Sequence, residues 1–172
     1  MADLFGLYKP FLRTAEISDC GLYRWWLRRS WDAAGDGRVV CFVMLNPSTA
    51  DANQDDPTIR RCIGFASDLG VSAMLVRNLF AFRATNPKVL KGLRYDVATG
   101  GERGDMELLA SLSADIVVCA WGASGPKCTA ERAEWFVQQA GSKPLYCLGT
   151  TKTGAPRHPL YVKADQPLIL FR

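Results

Sequence analysis

The apolar residues of this chain gather into four short, nearly unbroken runs separated by stretches of helical periodicity. The runs are RVVCFVMLN (Arg38 to Asn46, closed by Pro47), SAMLVRNLF (Ser72 to Phe80), DIVVCAWG (Asp115 to Gly122) and PLYCLGT (Pro144 to Thr150). Runs of this length, apolar at almost every position, read as strands covered on both faces. The intervals carry helix signals. Asp56-Pro57-Thr58 is a helix start, with Asp56 as cap and Pro57 at the first helical position. Ile59, Cys62, Ile63 and Ala66 follow at helical spacing, and Gly70 is a stop. GDMELLASLS and TAERAEWFVQQAG predict two further helices, the second presenting Ala133, Phe136, Val137 and Ala140 on one face. YRWWLRRSW (Tyr23 to Trp31) fits a helix or a strand; it is read as an amphipathic strand leading into a turn at Gly35-Asp36-Gly37. Asn86 to Gly104 lacks clear periodicity and is expected to include a surface loop.

Strands alternating with helices imply parallel pairing. The expected fold is a single α/β domain over residues 1–172. It would be a three-layer α/β/α sandwich around a central, mainly parallel sheet of four or five strands. In such sheets ligands bind beyond the carboxyl ends of the strands. The residues following the runs are therefore the candidate site: Asn46-Pro47-Ser48-Thr49, Asn78 with Arg83 beyond it, Trp121-Gly122, and Thr150 to Tyr161.

Composition narrows the class. Apolar residues make up 48% and charged residues 22%, the balance of a folded globular protein. No apolar run approaches the roughly 18 residues of a membrane span. The N-terminus carries Asp3 and lacks a signal peptide's pattern, so a cytoplasmic location is expected. Cys41, Cys119 and Cys147 sit within apolar runs and read as reduced core thiols. Six cysteines without C-x₂-C spacing, beside a single histidine, argue against a zinc cluster. The net charge of +4 is compatible with a polyanionic partner. Arg24, Arg28 and Arg29, then Arg60 and Arg61, then Lys152, Arg157 and Lys163, either converge on a phosphate-bearing ligand or are solvated surface charge.

Three polar residues stand out. Asn46 ends a strand before a proline, where its side chain orients a water or polar ligand edge, or closes an Asx-turn. Asn78 interrupts an apolar strand and must find a partner, either a ligand edge or a neighbouring loop. His158, held between Pro156 and Pro159 and beside Arg157, either acts as an acid or electrostatic stabiliser or is a structural histidine. Asp51, Asp55 and Asp56 have the chemistry of a Mg²⁺ site, but solvated loop carboxylates and one helix cap account for them as well. No metal or cofactor is expected. There is no phosphate-binding loop, dinucleotide fingerprint or nucleophile elbow.

Taken in order, FVMLNPST, LVRNLFAFRAT, IVVCAWGASGPK and CLGTTKTGAPRHPLY resemble the site segments of the uracil-DNA glycosylase superfamily. The chain also resembles a bacterial family of unknown function that carries the LNPSTAD…NLFA…WG…PRHPLY set. The resemblance spans roughly residues 38 to 163. It implies that Asn46-Pro47 positions the attacking water and that Asn78 reads the base edge. By the same resemblance, His158-Pro159 stabilises the departing base, and Leu160 or Tyr161 wedges into the base stack. Pro47 and Ser48 would border the base, and Lys152 and Arg157 would meet DNA. Uracil-specific members carry a tyrosine after the first proline; Ser48 is small, which implies a pocket open to a bulkier, modified base. Leu160-Tyr161 stands where those members have Ser-Pro. An asparagine at position 46 is not a general base, so hydrolysis would rest on water placement and electrostatic stabilisation. The expected function is a DNA N-glycosylase-like hydrolase of the bacterial cytoplasm, with DNA as partner and no obligatory protein partner. The rival readings are a non-catalytic nucleotide or nucleic-acid binding module, and an enzyme on free nucleosides or nucleotides.

Overall fold

A computed structural model describes residues 12–32 and 36–172. Gly35, from the expected turn, and the N-terminal Asp3 lie outside the described residues. All four apolar runs form strands, each shorter than its run because the chain turns at the polar or glycine end. They are β3 (Val39–Met44), β4 (Ala73–Asn78), β5 (Ile116–Cys119) and β6 (Leu145–Cys147). Three more strands join them: β2 (Arg24–Ser30), as expected of YRWWLRRSW, together with β1 (Leu12–Ile17) and β7 (Ile169–Leu170).

These seven strands make one sheet in the order β1-β2-β4-β3-β5-β6-β7. The four apolar strands pair in parallel. The additional three are antiparallel to their neighbours. The expectation of four or five mainly parallel strands is thus corrected to a seven-stranded mixed sheet. The added strands flank the parallel set, where one-sided burial leaves no continuous apolar signal.

Alternation along β3 sends successive side chains to opposite faces. Val40, Phe42 and Met44 pack with Ile59, Cys62, Phe65 and Ala66 of helix α1 (Pro57–Asp68). On the other face, Cys41 and Val43 pack with Leu108 of α3 (Gly101–Leu109) and with Ala133 and Phe136 of α4 (Thr129–Gln139). The expected cap is present: the Asp56 carboxylate accepts the Ile59 N–H at 2.8 Å, with Pro57 at the first turn, a contribution of about 1 kcal/mol. Gly70, at φ +59°, ends the helix in the left-handed conformation a glycine favours.

The stretch from Asn86 to Gly104 is more ordered than its pattern suggests. It holds a 3₁₀ helix (Pro87–Gly92), the short α2 (Tyr95–Thr99) and the start of α3. One or two turns are too short to show a periodic face. Cys41, Cys119 and Cys147 are buried free thiols, and burial pushes the pKa of Cys41 up to about 12. No helix among the described residues is long and apolar enough to cross a membrane.

Candidate functional site

Parallel pairing brings the carboxyl ends of β3 and β4 side by side. Met44 is in register with Asn78, and the carbonyls of Met44 and Leu45 accept the N–H groups of Leu79 and Phe80 at 2.8 and 2.9 Å. At this edge lies a cavity of about 580 Å³, within the ~300–1,000 Å³ range of small-molecule pockets. Asn46, Ser48, Asn78, Trp121, Gly122 and His158 all contribute to its wall. Four separate strand ends therefore meet at one place, as the crevice rule requires.

The Asn46 amide has one possible orientation. Its Nδ2 donates to the carbonyls of Pro47 at 3.0 Å and Ala84 at 2.8 Å. Carbonyls only accept, so both N–H bonds are spent and Oδ1 is left as an acceptor at the cavity. Pro47 itself is buried and is not among the lining residues. It acts through the turn it fixes and through its carbonyl, which also accepts from the Ala84 N–H at 2.9 Å.

Asn78 shows the opposite polarity. Its Oδ1 accepts from Nη2 of Arg24 at 3.3 Å, and a guanidinium can only donate. Nδ2 is consequently the atom left over, and it is buried without a partner. The residue is 6% exposed.

His158 is placed by its loop. The Arg157 N–H donates to the Gly149 carbonyl and the Thr151 N–H to the Ala155 carbonyl, both at 2.8 Å. The Gly122 N–H donates to the Pro156 carbonyl at 2.9 Å, joining this loop to the one after β5. Gly122 adopts φ +71°, and a Cβ there would lie 3.4 Å from the Cβ of His158. A 3₁₀ turn (Pro159–Tyr161) follows, and Nδ1 of His158 accepts the Leu160 N–H at 3.3 Å. Arg61 of α1 donates to the carbonyls of Pro159 and Val162, fastening this turn to the helix. Because Nδ1 accepts, the ring proton sits on Nε2. Burial lowers the His158 pKa below its usual value, opposed by the charge of Asp56, and favours the neutral ring.

The rim is basic and apolar together. Lys152, Arg157, Leu160 and Tyr161 are exposed lining residues, Leu160 by 42% and Tyr161 by 78%. Arg157 also donates from Nε to the Thr150 carbonyl at 3.0 Å. Arg83, expected beyond Asn78, instead ties loops together by donating to the carbonyls of Ser48 and Gly21.

The basic cluster of β2 is another correction. Arg24 and Arg29, open in sequence to a solvated reading, are 3% and 0% exposed. Period two puts Arg29 on the same face as the core residue Leu27, a signal that was available. Arg24 lines the cavity and had no such signal. The three loop carboxylates are engaged by protein. Asp51 accepts the backbone N–H groups of Asn53 and Gln54, Asp55 pairs with Arg13 and Arg29, and Asp56 caps α1. Among the described residues, no group of three or more His, Cys, Asp or Glu side chains is arranged to hold a metal ion.

Fold and site together define an α/β protein with a cavity at the carboxyl edge of its parallel strands. That cavity is walled by two asparagines of fixed orientation and a histidine whose pKa burial lowers. The chain belongs to the family described as "Protein of unknown function (DUF1643)", whose sequence model matches residues 24–160. No curated protein and no solved structure matches it.

Proposed function

We propose that this protein is a DNA N-glycosylase-like hydrolase, on a three-layer α/β/α fold of the uracil-DNA glycosylase type, that cleaves the N-glycosidic bond of a flipped base. The observation that supports this reading is that Asn46, Asn78 and His158 line one cavity with complementary polarity. Asn46 offers an acceptor, Asn78 a donor, and His158 a donor from Nε2.

In the proposed reaction Oδ1 of Asn46 accepts one hydrogen of a water and directs its oxygen at C1′ of the sugar. A C1′–O bond forms as the C1′–N bond breaks, and the bonding pair leaves with the base. His158 donates a hydrogen bond to the oxygen on which that charge collects. The water's proton ends on the departing base, directly or through solvent. An amide cannot retain that proton, so turnover is slow unless the base leaves easily. Nδ2 of Asn78 holds the base edge. Lys152 and Arg157 meet phosphates while Leu160 or Tyr161 fills the gap in the stack. Ser48 leaves space for a substituted base.

The test is incubation with oligonucleotides carrying uracil, mismatched thymine or bulky modified cytosines, followed by alkaline cleavage. Strand breaks that vanish in His158→Ala are expected; no abasic product on any substrate at enzyme excess would sink the reading. The absence of a base at position 46 favours one alternative, a binding module for a nucleotide or nucleic acid on the same scaffold. In that case His158→Ala only weakens binding. An enzyme on free nucleosides is separated by salt, since duplex binding falls steeply with ionic strength and nucleoside binding does not.

A further inference from the structure

Three arginines are buried among the described residues: Arg24, Arg29 and Arg132. Arg29 pairs with Asp55 and Arg132 with Asp105, each at 2.7 Å. Arg24 forms no ion pair with any carboxylate among the described residues. Its guanidinium donates to the Ala50 carbonyl at 2.9 Å and to Oδ1 of Asn78 at 3.3 Å. Nε, also buried, has no partner. Asp56, which also lines the cavity, lends it attraction from beyond ion-pair distance while one of its oxygens caps α1. Burial lowers the Arg24 pKa to about 10, so the side chain remains cationic at neutral pH. A buried charge without a direct ion-pair partner is costly to keep, and this one lines a cavity with the partnerless Nδ2 of Asn78 next to it.

We infer that Arg24 and Asn78 form a subsite for an anionic oxygen group, a carboxylate borne by a planar heterocyclic ligand. Every free polar group of this pair is a donor, and one carries charge. A carboxylate supplies the acceptors and a direct ion-pair partner together; a neutral carbonyl supplies only acceptors, and an exocyclic amine clashes donor against donor. The proposal rests on the cavity being the base pocket of the proposed reaction, but it concerns binding and requires no cleavage.

The probes are free 5-carboxyuracil, uracil and cytosine, titrated calorimetrically into the full-length protein at neutral pH. The carboxylate is expected to bind about tenfold more tightly than uracil, with cytosine weakest, and Arg24→Met to erase the difference. Because that variant removes two buried hydrogen bonds, Asn78→Asp provides a second arm. It sets a carboxylate beside the guanidinium within the protein, so it should raise the melting temperature and abolish carboxyuracil binding. Equal affinity for the three probes, no binding of any, or undiminished carboxyuracil binding in Asn78→Asp would each overturn the inference. Base excision without carboxylate preference defeats this inference alone; carboxylate binding without excision defeats only the hydrolase reading.

Discussion

Asn46 donates to the carbonyl of Ala84 at 2.8 Å, tying the chain that leaves β3 to the chain that leaves β4. The same amide donates to Pro47, so the side chain that faces the cavity also holds two loops in place. Asn46→Asp cannot make either bond, and its carboxylate would confront two carbonyls. A loss of about 2 kcal/mol is expected from the unpaired acceptors, read by urea denaturation at neutral pH. A protonated carboxyl regains one donor, so acidification should recover part of the loss. Unchanged stability at neutral pH would show that the amide does not brace the loops.

His158 links stability to pH. Its pKa is lowered below 6.5 in the folded protein, chiefly by burial. The unfolded chain therefore binds the proton first as pH falls, which favours unfolding. The neutral-ring contribution is complete above the ordinary value of 6.5 and diminishes as pH drops below it. Comparing urea midpoints at about pH 7.5 and about pH 5.5, the wild type should lose more stability than His158→Gln. Parallel losses in the two proteins would contradict the assigned environment.

Gly122 lies against His158 and bonds its loop through the Pro156 carbonyl. In Gly122→Ala, a left-handed alanine costs roughly 1–2 kcal/mol, and the new methyl meets the His158 Cβ at 3.4 Å. Gly141→Ala is the control, with φ +57° and no atom within 4 Å of the added Cβ. Both variants should lose melting temperature, but only Gly122→Ala should weaken ligand affinity. Equal affinities in the two would remove Gly122 from the site.

Rim charge and rim aromatic surface should separate in their response to salt. Lys152→Gln is expected to reduce the slope of log affinity for duplex DNA against log salt by about 1. Tyr161→Ala should weaken binding at every salt concentration without altering the slope, because stacking releases no counterions. Fluorescence anisotropy across a salt series measures both. An unchanged slope for Lys152→Gln would place the DNA elsewhere or nowhere.

The parallel strands were legible because burial on both faces writes an unbroken apolar run. The edge that carries the cavity followed from that alone, since the residues after each run could be read directly. β1 (LRTAEI) is half-exposed and β7 is two exposed residues, so neither leaves a pattern to detect. β2 was visible as an amphipathic segment, but its arginines pointed the reading outward. Alternation with Leu27 puts Arg29 on the inner face, but the partner that lets its charge stay there, Asp55, is 26 residues away, and no local spacing encodes that pairing. Arg24 is harder still. Its bonds reach Ala50 and Asn78, 26 and 54 residues distant.

The placement of Arg24 on β2 bears on how the chain can be trimmed. A fragment beginning after Ser30 would retain all four parallel strands and every segment that carries the sequence resemblance. It would nevertheless lack the guanidinium that orients Asn78 and would expose the edge of β4 that β2 covers. The smallest piece that preserves the recognisable motifs is therefore smaller than the smallest piece that preserves the cavity. A minimal unit chosen by motif content alone would lose the side chain that bonds both Ala50 and Asn78.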